Sequence, residues 1–135
     1  MEHDFIREGL TAMSAGSATL TGWALSIFGA TVVGIVTSKY LRPSGWVRYL
    51  YLLFIPGWVL LGVSVARGDL VIQRSIAAAF AENATLRRDI AKLMNSDFDA
   101  QRFMLQLALL VFAAWLVSLL IWWIFSAPQP KPEQP

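Results

Sequence analysis

The sequence predicts an all-α chain that crosses a bilayer three times, with an amphipathic helical hairpin or a surface helix between the second and third crossings. Three observations carry this prediction. Hydrophobic residues make up 56% of the chain and charged residues 15%, where a soluble domain carries about a quarter charged residues. The apolar residues are gathered into three long uncharged runs, the pattern of a chain solvated by lipid. Tyr40, Trp46, Tyr49, Trp122 and Trp123 fall in two separate segments that three crossings bring to one membrane surface, as an interfacial belt.

Residues 1–9 read as an acidic N-terminal tail. The Met-Glu-His-Asp start and the lack of a small-residue cleavage site make the first span a permanent helix and not a removed signal. That span occupies 10–38, more than the ~20 residues a crossing needs. A short basic connector, 39–48, contains Pro43 and Gly45 and predicts a tight turn. The second span, 49–66, holds Pro56 and Gly57 near its centre, which predicts a proline kink and makes the pair a candidate hinge. The third span covers 103–127, and the proline-rich tail 128–135 reads as extended chain.

The one sizeable hydrophilic segment is 67–102. Its helical period places Ile72, Ile76, Ala79, Phe80, Leu86, Ile90, Leu93 and Met94 on one face, with Arg74, Arg88 and Lys92 opposite. A single straight helix from Asp69 to Met94 would run about 39 Å and carry the third span away from the second. A break near Glu82–Thr85, with Thr85 as cap, gives two arms of roughly 23 and 27 Å instead. The segment thus reads as a hairpin continuing spans two and three; the alternative is a helix lying in the headgroup layer.

Orientation follows from the positive charges. Arg7, Arg67, Arg74, Arg87, Arg88, Lys92 and Arg102 share one side; Lys39, Arg42, Arg48 and Lys131 share the other. The richer side is expected to face the cytoplasm, which places the N-terminus and 67–102 inside a plasma (inner) membrane.

Composition excludes several function classes. The chain has no cysteine, so disulfides, thiolate metal sites and thiol nucleophiles are out. The one histidine, His3, lies between Glu2 and Asp4, and no apolar run contains a histidine or carboxylate to ligate haem or metal. Proton relays and ion-coupled transport need an ionisable group inside a span, and the spans hold none. A net charge of +2 without a basic stripe gives nucleic acid nothing to bind. No catalytic constellation, cofactor motif or metal motif is present, and no enzyme is expected.

What remains is helix assembly. Ser14, Ala18, Gly22, Ser26, Ala30, Gly34 and Ser38 place a small residue at every fourth position of span one. Small side chains let helix backbones approach closely, which is how helices associate inside lipid. Because successive rungs wind about 40° around the helix, the row can serve partners within and beyond the protomer. Span one also carries hydroxyls, among them Ser17, Thr19, Thr21, Thr31 and Thr37, which either line a hydrated path or bond back to their own backbone. Asp99, Arg102 and Gln106 share one side of the third helix at its membrane edge, where a ring of copies would make them a pore mouth.

The expected function is therefore that of a non-enzymatic scaffold or accessory subunit, assembled through the small-residue face. Its partners would be lipid, further copies or other membrane proteins, and a soluble protein at 67–102. The alternative is a small homo-oligomeric channel with the span-one hydroxyls lining or framing the path. A lytic pore ranks third, since the tail lacks a basic cluster.

Overall fold

The computed structural model describes residues 2–37 and 45–126, with side chains described for 7–37 and 48–126. These residues form α1 (Glu2–Thr37), a 3-10 segment (Gly45–Leu53), α2 (Phe54–Ala79) and α3 (Ala84–Phe125), with no strand among them. Ser38, Tyr40, the Pro43 turn and the proline-rich tail lie outside the described residues, as do the side chains of Trp46 and of the acidic N-terminal residues.

Each of the three helices is long and apolar enough to span a membrane, with mean hydropathies of 1.7, 1.9 and 2.5 over their most apolar stretches. Only 6%, 22% and 6% of those stretches is buried inside the molecule, so the most apolar side chains point outward. At 1.5 Å per residue α1 is about 54 Å long and α3 about 63 Å, well beyond a hydrocarbon core of about 30 Å.

Three local expectations are corrected. The expected N-terminal tail is helical where it is described, because from Glu2 onward the chain belongs to α1. Span two is not one kinked α-helix: it begins as a 3-10 segment and becomes α-helical at Phe54. Pro56 is the third residue of α2, just past its junction with the 3-10 segment, where a residue without an N–H is tolerated better than in a helix interior. It marks a change of helix type. The break between α2 and α3 lies where expected, but Thr85 is not the cap. Asn83 takes that place: its Oδ1 accepts from the Leu86 N–H at 2.8 Å, while the Thr85 hydroxyl donates to the same oxygen at 3.2 Å. Asn83 has the extended backbone of an N-cap residue, φ −119° and ψ 153°.

The helices run antiparallel in succession. Phe54 packs on Phe112 and Trp115, with ring centroids 5.4 and 4.7 Å apart, near one end of the α2–α3 pair. Ser64 meets Gln101 farther along. On α1, Trp58 meets Phe28 and Thr31, while Gly68 meets Ser17. The α2–α3 contact is the most extensive, and α1 leans mainly on α2. Ala24, Leu61, Leu105 and Ala108 form the apolar centre between the three.

Buried positions recur at steps of three or four: Phe54, Gly57, Leu61, Ser64, Gly68 and Val71 on α2, then Met94, Asp97, Gln101, Leu105 and Ala108 on α3. That is the seam of a left-handed bundle. The apolar face read for 67–102 lies largely outside this seam. Met94 is fully buried and Ile90 half-buried, but Ile72, Ile76, Phe80, Leu86 and Leu93 are exposed, Phe80 at 81%. Arg74, expected on the outer face, turns in to Asp97.

Candidate helix-assembly site

Two arrangements of small and polar residues organise α1, one on each of its sides. The inner one is a hydrogen-bonded clasp centred on Gln101 of α3, which is fully buried. Its Oε1 accepts from the Ser17 hydroxyl at 2.7 Å, and its Nε2 donates to the Ser17 carbonyl and to Thr21 Oγ1, both at 3.1 Å. From α2, the Ser64 hydroxyl donates to the Gln101 carbonyl at 3.0 Å. Ser17 Oγ also lies 3.3 Å from the carbonyl of Gly68. The Gln101 amide thereby ties α3 to α1, and its main-chain carbonyl takes up Ser64 of α2, so one residue joins the three helices with its buried donors and acceptors matched.

Gly68 makes the clasp sterically attainable. A Cβ there would stand 2.5 Å from Gln101 Nε2 and 2.6 Å from Thr21 Oγ1. Only a bare backbone fits between the two.

One turn along α3, Asp97 is 4% exposed and receives two guanidinium groups from α2. Arg67 approaches at 3.0 Å, and Arg74 contacts the other carboxylate oxygen. The arginines are partly exposed, so the triad sits with its anion inside and its cations reaching outward. A buried carboxylate needs such partners to remain charged.

The outer arrangement is the row of small residues. Ser14 is half-buried, whereas Ala18, Gly22, Ser26, Ala30 and Gly34 are exposed. Nothing lies within 4 Å of a Cβ placed on Gly22 or Gly34. Gly22 and Gly34 therefore face open space, whereas Ser14 and Ala18 line a cleft against Ser75, Ala78 and Ala79 of α2, and the chain's own close packing uses Ser17, Thr21 and Ala24. The seventh rung, Ser38, lies outside the described residues.

Other candidate residues are dispersed. Gly57 is buried, and a Cβ on it would meet the Phe112 ring at 2.6 Å, while Pro56 is exposed. Asp99, Arg102 and Gln106 all lie on the exposed side of α3, and Asp99 accepts from Asn95 Nδ2 at 3.3 Å. Of the span-one hydroxyls, Thr19, Thr31 and Thr37 bond back to the carbonyls of Ala15, Phe28 and Val33. Thr31 Oγ1 also accepts from the Trp58 indole at 2.9 Å. Among the described residues, no three His, Cys, Asp or Glu side chains gather where a metal could be held.

Sequence reasoning passed over Gln101, Ser64, Gly68 and Asp97. The available signal was spacing: Ser64 and Gly68, like Asp97 and Gln101, are four apart and fall on the three-and-four seam. The chain thus belongs to the class of all-helical proteins with three helices able to span a membrane. Compared with known protein families, curated proteins and solved structures, it finds no match.

Proposed function

We propose that the chain is a non-enzymatic multi-pass membrane protein that assembles through the outward face of α1, as a scaffold or accessory subunit of a membrane complex. The observation that carries this reading is the position of the small-residue row. Five consecutive rungs, Ala18 to Gly34, are exposed on a helix whose packing within the chain uses its other side. In lipid, such a surface gives another helix close backbone contact.

In this reading the bilayer begins near the level of Ser17, Arg67 and Arg102 and ends near Thr37, Tyr49 and Trp123. Beyond Arg67 and Arg102, α2 and α3 continue as a helical hairpin, flanked by the first turns of α1. The positive residues concentrated there favour a cytoplasmic position. Exposed Ile72, Ile76 and Phe80 on the hairpin then offer a soluble partner an apolar strip.

The test is the mass of the complex extracted in lipid nanodiscs. Wild-type chain is expected in a defined complex that Gly22→Leu or Gly34→Leu disperses, since either side chain holds the backbones apart. An unchanged complex in both variants removes the role given to α1. A homo-oligomeric pore is the weaker reading, because Thr19, Thr31 and Thr37 are engaged with their own helix. Ion flux in liposomes that depends on these threonines would promote it.

A further inference from the structure

One turn beyond the clasp, the Asp97 triad carries more positive charge than its carboxylate needs. Arg67 and Arg74 stand seven residues apart on α2, two turns along and within about 20° of each other around the axis. Asp97 lies one turn out from Gln101 on the antiparallel α3. The two guanidinium groups therefore converge on it, Arg67 from the clasp side and Arg74 from the hairpin side. Asp97 is 4% exposed, whereas the arginine side chains are 47% and 30% exposed. Each arginine approaches through Nη1, and a guanidinium has five N–H donors, so most of them point elsewhere. Among the described residues neither arginine meets a second carboxylate. Asp69 accepts from Gln73 instead, and Asp99 from Asn95.

We propose that Arg67 and Arg74 bind the phosphate of a lipid headgroup bearing net negative charge, with Asp97 as the buried clamp that holds both guanidinium groups in place. The inference rests on the bilayer placement given above and does not depend on assembly through α1. Charge is the first argument. Two guanidinium groups on one carboxylate leave one surplus positive charge at a partly desolvated site, and an anion completes it. Depth is the second. The clasp lies level with the edge of the hydrocarbon, and Asp97 is about 6 Å farther out along α3. The headgroup layer adds roughly 5–8 Å to each side of the core, so the pair stands at the level of the phosphates. Geometry is the third. The planar guanidinium forks match phosphate oxygens, and side chains already fixed by Asp97 lose little freedom on binding. The side proposed as cytoplasmic is also the one where anionic lipids gather.

The full chain in nanodiscs of phosphatidylcholine mixed with phosphatidylglycerol tests the proposal, read by the lipids that stay bound in native mass spectra. Phosphatidylcholine brings its own cation to the phosphate and phosphatidylglycerol does not, so retained phosphatidylglycerol should exceed its share of the disc. Arg67→Gln and Arg74→Gln each leave a one-to-one ion pair with Asp97. Both should keep wild-type helicity and lower the preference about fivefold. Arg102→Gln removes an exposed arginine near the same membrane edge and should leave the preference unchanged. A loss through Arg102→Gln as large as through Arg67→Gln would assign the preference to general surface charge and overturn the site. Inorganic phosphate that binds in pure phosphatidylcholine discs and is lost in Arg67→Gln would make the ligand a soluble anion, overturning the lipid assignment. A wild-type chain that sits in the disc and retains both lipids equally overturns the proposal and leaves the bilayer placement standing. A chain that never enters the disc removes both.

Discussion

The two sides of α1 are built from the same residue types and behave differently. On the inner side, Ser17, Thr21 and Ala24 are close against α2 and α3, and Ser17 is fully buried in the clasp. On the outer side, Ala18, Gly22, Ser26, Ala30 and Gly34 are exposed, and nothing lies within 4 Å of a Cβ placed on Gly22 or Gly34. Small size permits close approach, but it does not choose the partner. On the inner side the choice is made by hydrogen bonds, because Gln101 can satisfy its amide at one register of the three helices only. The outer side carries no equivalent polar anchor, and the partner proposed for it lies outside the chain.

The largest effect that separates the two sides is expected at Gly68. Gly68→Val drives a branched side chain into the space held by Gln101 Nε2 and Thr21 Oγ1. It combines overpacking with loss of the clasp, and should lower stability by about 3 kcal/mol in detergent-titration unfolding. A variant as stable as wild type would show that α1 is not held where the clasp places it. Gln101→Leu should cost less. It removes three side-chain hydrogen bonds at a site without steric conflict, and at roughly 0.6 kcal/mol each in a membrane setting the loss is about 2 kcal/mol. Trp58→Phe keeps the ring contacts with Phe28 and Phe54 and deletes only the bond to Thr31. Its expected cost is about 0.6 kcal/mol, and a larger one would assign Trp58 more than that single bond.

The same comparison explains what could be read in the sequence. The three long apolar helices were legible because each contains one long uncharged run, of the length a crossing of a bilayer requires. The break between α2 and α3 was legible from length alone. The interior of the bundle was not, because the most apolar residues of 67–102 are not the ones that pack. Ile72, Ile76 and Phe80 stand out in the sequence as an apolar face, yet they are exposed. The packed positions are Ser64, Gly68, Val71 and Ala78, chosen by size and by hydrogen bonding. The small-residue row was visible at every fourth position, but a helix has two sides and sequence alone could not say which one the chain keeps for itself. Gln101 escaped notice because a lone glutamine at the edge of a span reads as interfacial until Ser17, Thr21 and Gly68 are seen around it.

The smallest expected effect is the most discriminating. Gly22 lies in the middle of the outer row, with open space where its Cβ would be. Gly22→Leu therefore adds a side chain that touches nothing in the chain. Replacing a mid-helix glycine favours the helix by roughly 0.5–1 kcal/mol in backbone terms, so the stability of the isolated chain should stay equal to wild type or rise slightly. The same change should abolish assembly through α1, because the added side chain holds any helix backbone off the row. Unfolding of the dispersed chain and mass in nanodiscs, measured on the same variant, should thus move independently. A fall in stability of the isolated chain would mean that the outer side of α1 does pack within the protomer, and the contrast between its two sides would disappear.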